Sequence, residues 1–183
     1  MLGIVKKLYH RFMAYKREQY LLGLVRKGLR IGQNVEIIEA FFFDPSHCFL
    51  ITIGDNCTFA PNVRLIAHDA SSKKLLGYTK LSRIDIGENS FLGDSVIVLP
   101  GVTIGRNSIV GAGSVVTRSI PADVVAAGNP AKVLCSVQEY VDKIQRLRGD
   151  KPVFGCDYYI DHLDDRKRAE ILASVGNGTG YIL

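Results

Sequence analysis

The sequence predicts an all-β-dominated fold: a parallel β-coil of triangular cross-section with helical segments at its two ends. Three observations carry this. Across residues 86–121 an aliphatic residue opens every block of six: Ile86, Leu92, Val98, Ile104, Val110 and Val116. Four places later stands a small or branched residue: Ser90, Val96, Val102, Ser108, Ser114 and Ile120. Gly87, Gly93, Gly105 and Gly111 fill the second place in four of the six blocks. Internal repetition takes precedence over local propensity, because it fixes the architecture. A period of six matches neither the 3.6 of a helix nor the 2 of a strand. It matches one short strand plus a turn, with three hexads closing each coil and coils stacked at the strand spacing of about 4.8 Å. The aliphatic residue then points inward, and its partner four places on must fit a narrow interior. Glycine is expected to relieve turns where φ becomes positive.

The elements follow in order. Residues 1–28 read as a basic amphipathic helix, with Val5, Leu8, Phe12, Tyr15 and Leu22 forming one apolar stripe. Residues 1–30 hold eight Lys or Arg and one acid, Glu18, so the net charge of +5 belongs to this segment and the remainder is slightly acidic. Two readings stay open for the helix. It packs on the coil or a neighbouring subunit with its charges solvated, or it makes peripheral contact with an anionic membrane face. No aromatic-interleaved basic motif points to nucleic acid.

The coil is read over residues 29–135. It opens with Ile31-Gly32 and Ile37, then slips register through Phe41-Phe42-Phe43-Asp44-Pro45-Ser46-His47-Cys48. Ile53, Phe59 and Leu65 restore it. Residues 68–83 break the six-fold rule, are polar, and carry Lys73, Lys74 and Lys80, so they read as a loop protruding from the coil. Loops held on a rigid scaffold are where function concentrates. Gly128-Asn129-Pro130 signals a turn that ends the regular coils. Residues 136–183 form the C-terminal part: a short helix over 136–148 with Ser136 and Glu139 as a capping box, a second helix near 164–174, and an extended end.

Composition, 47% hydrophobic and 22% charged, is that of an ordinary soluble domain. The N-terminus has no long apolar core followed by a small-residue cleavage site. The four cysteines, Cys48, Cys57, Cys135 and Cys156, lie far apart and read as reduced thiols, with Cys57 on a small inward place. The expected location is the cytoplasm, and the second reading of the helix would place it peripherally at the inner membrane face.

Several segments resemble the hexapeptide-repeat acyltransferases, which are left-handed parallel β-helix enzymes. They are IGDN (53–56), AHDA (67–70), FLGDSVIVLPGVTIG (91–105), VGAGSVVTRSIP (110–121) and AAGNPAKV (126–133). The similarity is greatest to the sugar O-acetyltransferases of maltose, galactoside, capsule and O-antigen type. The left-handed sense comes from this resemblance alone. The resemblance implies acetyl transfer from acetyl-CoA to a hydroxyl of a sugar, of a cell-surface polysaccharide or its precursor, by a homotrimer that needs no metal. His68 sits where the family's catalytic histidine falls, and histidine suits proton transfer near neutral pH. Of the other three histidines, His47 in the irregular segment is the rival, while His10 and His162 lie in the N-terminal helix and the tail. Asp44 or His47 stands where a polar residue from an earlier coil helps the transition state. For acetyl-CoA the resemblance implies Asp94, Ala112, the Thr117-Arg118 pair and Lys132. Asp94 replaces a glycine, and Phe91 the tryptophan, of the family's Trp-x-Gly-Gly motif. Arg118 and Lys132 suit the phosphates of CoA.

Three alternatives are weighed. An N-acetyltransferase acting on an amino-sugar nucleotide is the nearest. A non-catalytic β-helix scaffold is opposed by His68 together with the GNPAK turn. A zinc-dependent γ-type carbonic anhydrase is opposed by the lack of a His-x-x-x-x-His spacing.

Overall fold

A computed structural model describes residues 2–183, with side chains described from residue 11 onward. Two compact units divide the chain, residues 1–137 and 138–183.

The first unit opens with helix α1 (Leu2–Arg26) and then winds three strands per coil. The first coil is β1 (Arg30–Ile31), β2 (Glu36–Ile37) and β3 (Phe41–Phe43). The second is β4 (Ile51–Ile53), β5 (Thr58–Phe59) and β6 (Val63–Leu65). The protruding segment holds β7 (His68–Asp69), helix α2 (Lys73–Leu76) and β8 (Lys80–Leu81). Two further coils follow: β9 (Ile84–Ile86), β10 (Phe91–Leu92) and β11 (Ile97–Val98), then β12 (Thr103–Ile104), β13 (Ile109–Val110) and β14 (Val115–Val116). β15 (Val124–Gly128) and β16 (Ala131–Ser136) end the unit. Successive strands turn from one parallel sheet to the next and return after three. The faces are β1-β4-β9-β12, then β2-β5-β10-β13-β15, then β3-β6-β11-β14, with β16 added antiparallel to the second.

The inward residues of the predicted hexads are buried without exception, from Ile86 and Ser90 to Val116 and Ile120. Apolar residues stack in columns, such as Ile53-Ile86-Ile104 and Phe59-Leu92-Val110. The small residues satisfy their polar atoms on the next coil. Cys57 Sγ donates to Gly87 O at 3.1 Å, Ser90 Oγ to Gly105 O at 3.1 Å, and Ser108 Oγ to Pro121 O at 2.8 Å. Cys57 is therefore packed and hydrogen-bonded, and burial raises its thiol pKa.

The glycines at the second hexad place do something other than expected. None of Gly54, Gly87, Gly93, Gly105 and Gly111 has positive φ. They are there because the next coil's backbone leaves no room: a Cβ on Gly93 would stand 2.6 Å from Ala112 N. In four coils the left-handed position two places after the second-place glycine belongs to asparagine, a residue that tolerates that region better than most. Asn34, Asn56, Asn89 and Asn107 all have φ between 53° and 56°. Their side chains form a ladder up one corner, linked at 3.2, 3.2 and 3.0 Å, and Asn107 Nδ2 donates to Asp123 Oδ1 at 2.8 Å.

Helix α1 packs on the coil through a different face from the predicted stripe. Leu24 is buried, Leu21 is half-buried, and the Tyr20 ring meets Phe41 at 5.6 Å. Phe12, Tyr15 and Leu22 are exposed, at 52, 58 and 40%. Leu21 and Leu24 follow Arg17 and Tyr20 at helical spacing, and that row points at the Phe41-Phe43-Phe59 cluster. Val5, Leu8 and the His10 side chain lie outside the described residues. No helix among the described residues is long and apolar enough to cross a membrane.

The turn at Gly128-Asn129-Pro130 links β15 and β16 as an antiparallel pair, so the chain reverses there. In the second unit, helices α3 (Val137–Arg148) and α4 (Asp165–Val175) stand where the two short helices were expected. Asp164 caps α4 by accepting from Lys167 N at 2.7 Å. The extended end is β18 (Tyr181–Ile182), paired in parallel with β17 (Val153–Phe154).

Two glycines separate steric from conformational cost. Gly113 has φ +69° and open space around its Cβ position, so Gly113→Ala should lose about 1 kcal/mol of stability. Gly93→Ala must push two coils apart and should lose about 3 kcal/mol. Urea denaturation of both variants checks this; equal losses would refute the close-approach account.

Candidate active site

The third corner of the coil, where β3, β6, β11 and β14 end, carries both insertions. Ladder hydrogen bonds continue round it: Asp44 N to Leu65 O, Ile66 N to Val98 O and Leu99 N to Val116 O, each 3.0 Å. Asp44 therefore stands directly after β3, one coil before Ile66, and His68 lies two residues past Ile66. The segment 68–83 is tied to this corner at both ends. His68 pairs with Leu81 and Asp69 with Lys80 in an antiparallel ladder, and Ser82 N donates to Ala67 O at 3.0 Å. The His68 backbone is thus held by a hairpin stem, while the tip residues Leu75, Leu76 and Tyr78 are exposed.

Asp44 is fully buried, and every feature around it explains why a carboxylate is tolerated there. Its Oδ2 accepts from Ala67 N at 3.0 Å and meets His68 Nδ1 at 2.5 Å. Its Oδ1 accepts from the backbone N–H groups of Ser46 and His47 at 3.2 and 3.3 Å. Burial by itself pushes this carboxyl pKa up. The hydrogen bond and attraction of His68, with the Ala67 and Ser46 amides, outweigh burial and hold it below the ordinary carboxylate range. An ionised Asp44 is acceptor-only. Its contact with His68 Nδ1 is therefore made through an Nδ1–H, and the lone pair of the neutral ring sits on Nε2. His68 is about one-third exposed, so the ring is accessible. A base oriented by a buried carboxylate is the arrangement that proton-abstracting active sites require.

His47 joins this pair. Its Nδ1 lies 3.8 Å from Asp44 Oδ1, and its ring centroid is 4.8 Å from that of His68. The Asp-Pro turn and the polar partner of His68 are one structure: the carboxylate that caps Ser46 and His47 also orients the imidazole.

The residues expected to meet acetyl-CoA are distributed. Thr117 directly follows β14, so Thr117 and Arg118 occupy the same corner as His68, two coils further along, about 10 Å at the ordinary strand spacing. Asp94 and Ala112 lie together at the second corner, where Gly113 N donates to Asp94 O at 2.7 Å. Lys132 lies on β16 opposite Ala127. Arg118 and Lys132 are exposed. Two open crevices of about 510 and 770 Å³ run beside α1 and Phe41; neither includes Asp44 or His68.

Residues 83–118 match the bacterial transferase hexapeptide family model, six repeats long. The chain is 42% identical over 118 residues to a galactoside O-acetyltransferase of Escherichia coli, covering 59% of this chain and 57% of that one. It superimposes on a maltose O-acetyltransferase of Clostridium difficile with a TM-score of 0.51, at 39% identity, over 58% of this chain and 57% of that one. A hexapeptide-repeat acetyltransferase of Vibrio cholerae gives 0.53 at 31% identity, over 61% and 64%. The chain spans just over half the length of the E. coli relative.

The Asp44 environment sets an acid response. Its folded pKa is depressed, so its contribution to stability is present above the unfolded value of about 3.9 and is lost as pH falls through the folded value. Asp44→Asn should therefore flatten the acid limb of the thermal-denaturation profile below about pH 4 relative to wild type. Superimposable acid limbs would refute the depressed pKa.

Proposed function

We propose that this chain is an acyltransferase that moves an acetyl group from acetyl-CoA to a sugar hydroxyl, with His68 as general base and Asp44 as its orienting partner. One observation carries the assignment: the buried Asp44 carboxylate meets His68 Nδ1 at 2.5 Å, and with Asp44 held below the ordinary carboxylate range this contact leaves the lone pair of a neutral His68 ring on Nε2. The hexapeptide coil and the likeness to sugar O-acetyltransferases support the reaction class. Acceptors belonging to a cell-surface polysaccharide or its precursor agree with that likeness. So do a left-handed coil and a homotrimer in which neighbouring copies complete the site.

The chemistry follows from the dyad. The acceptor hydroxyl oxygen attacks the thioester carbonyl as its proton passes to His68 Nε2. The imidazolium that forms is stabilised by Asp44, which stays ionised. Collapse of the tetrahedral oxyanion re-forms the carbonyl, breaks the carbon–sulfur bond and expels the CoA thiolate. That thiolate takes the proton from His68, so base and carboxylate return to their starting states. Arg118 and Lys132, exposed and cationic, suit the phosphates of the donor.

His68→Ala should reduce kcat by about 10²- to 10⁴-fold, the range for loss of a general base. Asp44→Asn should reduce it as well, by leaving the tautomer of His68 unspecified, with little change in KM for acetyl-CoA. Thiol release from acetyl-CoA, measured over a panel of sugars and sugar nucleotides, reads both. Near wild-type turnover in His68→Ala would remove His68 from the mechanism.

A further inference from the structure

The dyad uses one oxygen of Asp44 and one histidine. It leaves His47 unexplained. His47 Nδ1 is buried and has no hydrogen-bond partner, the one such side-chain atom among the described residues. A buried unsatisfied nitrogen costs about 1–3 kcal/mol and calls for a reason. It lies 3.8 Å from Asp44 Oδ1, too far for a hydrogen bond.

Asp44, His47 and His68 each offer one ligand atom, and these atoms lie within 4.8 Å of one another. Two imidazole nitrogens and a carboxylate oxygen are the donor set that zinc and its neighbours prefer. Ligand atoms around tetrahedral zinc are about 3.3 Å apart, from bond lengths of about 2.0–2.1 Å. His47 Nδ1 is 3.8 Å from Asp44 Oδ1, half an ångström wider than that. His68 Nδ1 is 2.5 Å from Asp44 Oδ2 and would open by less than one. The widest donor separation, within 4.8 Å, would close by up to about 1.5 Å. The segment carrying His47 is irregular, with a single short 3₁₀ turn at Cys48–Leu50, so small movements there disturb no strand.

We propose that Asp44, His47 and His68 form a binding site for a divalent transition metal, one that competes with catalysis rather than serving it. The proton accounting shows why. In the dyad the neutral His68 ring carries its proton on Nδ1 and its lone pair on Nε2. A metal held by Nδ1 needs the lone pair there, so the ring proton moves to Nε2. His68 then has no free pair for the acceptor hydroxyl. Inhibition follows from the function proposed above; binding does not depend on it.

Cobalt(II), a spectroscopic substitute for zinc, tests binding directly with the full-length chain. Titration followed by its visible absorption should show one tetrahedral ion per chain in wild type. His47→Gln should weaken it by at least about 10-fold, since even outer partners of metal ligands are worth that much. His68→Gln should weaken it similarly, and His162→Gln, which alters an exposed histidine of the second unit, should not. Circular dichroism confirms that each variant is folded, and two ligand variants keep the comparison open if one is not. Equal affinity in wild type and a folded His47→Gln chain, or no saturable binding by wild type, would overturn the site. The titration reads binding even if the chain transfers no acetyl group, so failure of the site and failure of the enzymatic reading are distinct results.

Discussion

Every coil of this protein must lie one strand spacing from the next, and that single distance dictates the hexad. Backbone approaches backbone so closely behind Gly54 and Gly93 that a Cβ there would meet the next coil at 2.6 Å. The inward corner at the fifth hexad place is narrow enough that valine, serine and cysteine fill it. Burying serine three times over would be costly, were each hydroxyl not aimed at a carbonyl it can reach. The asparagine ladder solves the remaining problem, a left-handed residue at the same corner of every coil. Its side-chain amides reach the neighbours above and below, so the residue that permits the turn also joins the coils.

A structure so regular leaves few places for chemistry. In the four regular coils, β1 to β14, the strands are two or three residues long and inward positions are fully packed, so insertions can leave only at corners. Both large insertions leave from the third. The first brings Asp44 and His47, the second His68, and because they depart from successive coils their bases are a strand spacing apart. Proximity in space between residues 24 apart in sequence thus follows from the coil itself. The hairpin stem at His68–Leu81 then fixes the imidazole's backbone, and four donors fix Asp44.

Much of this was legible in the sequence. Six hexads name twelve inward residues, and all twelve are buried. His68 could be singled out because AHDA ends a coil where the period breaks. The role of asparagine was missed, although IGQN, IGDN, IGEN and IGRN repeat it four times. Glycine is the stronger general signal for positive φ and drew that role to itself; only the stacking distance shows that glycine was needed for space. The α1 stripe was misread for a related reason. Apolar residues occur all round residues 12–25, so periodicity cannot choose a face, and Phe41 on the coil does. Hexad spacing alone separates Asp94, which follows Leu92 on the second face, from Thr117, which follows Val116 on the third. Which of them shares a corner with His68 was beyond spacing, because the insertion after Leu65 interrupts the count between His68 and either of them.

Asp44 gathers these constraints into one chemical decision. Removing a carboxylate from water is tolerated only if its lone pairs are met, and three backbone amides and an imidazole meet them here. Those same donors lower its pKa, which keeps it ionised at neutral pH, which makes it acceptor-only. An acceptor-only neighbour leaves His68 no choice of tautomer. Which His68 nitrogen keeps its lone pair is therefore selected by a turn one coil away. His47 Nδ1 stands 3.8 Å from Asp44 Oδ1 without a partner of its own. The carboxylate that sets the His68 tautomer is thus also the group through which the proposed metal, held by His47 as well, would take that tautomer away.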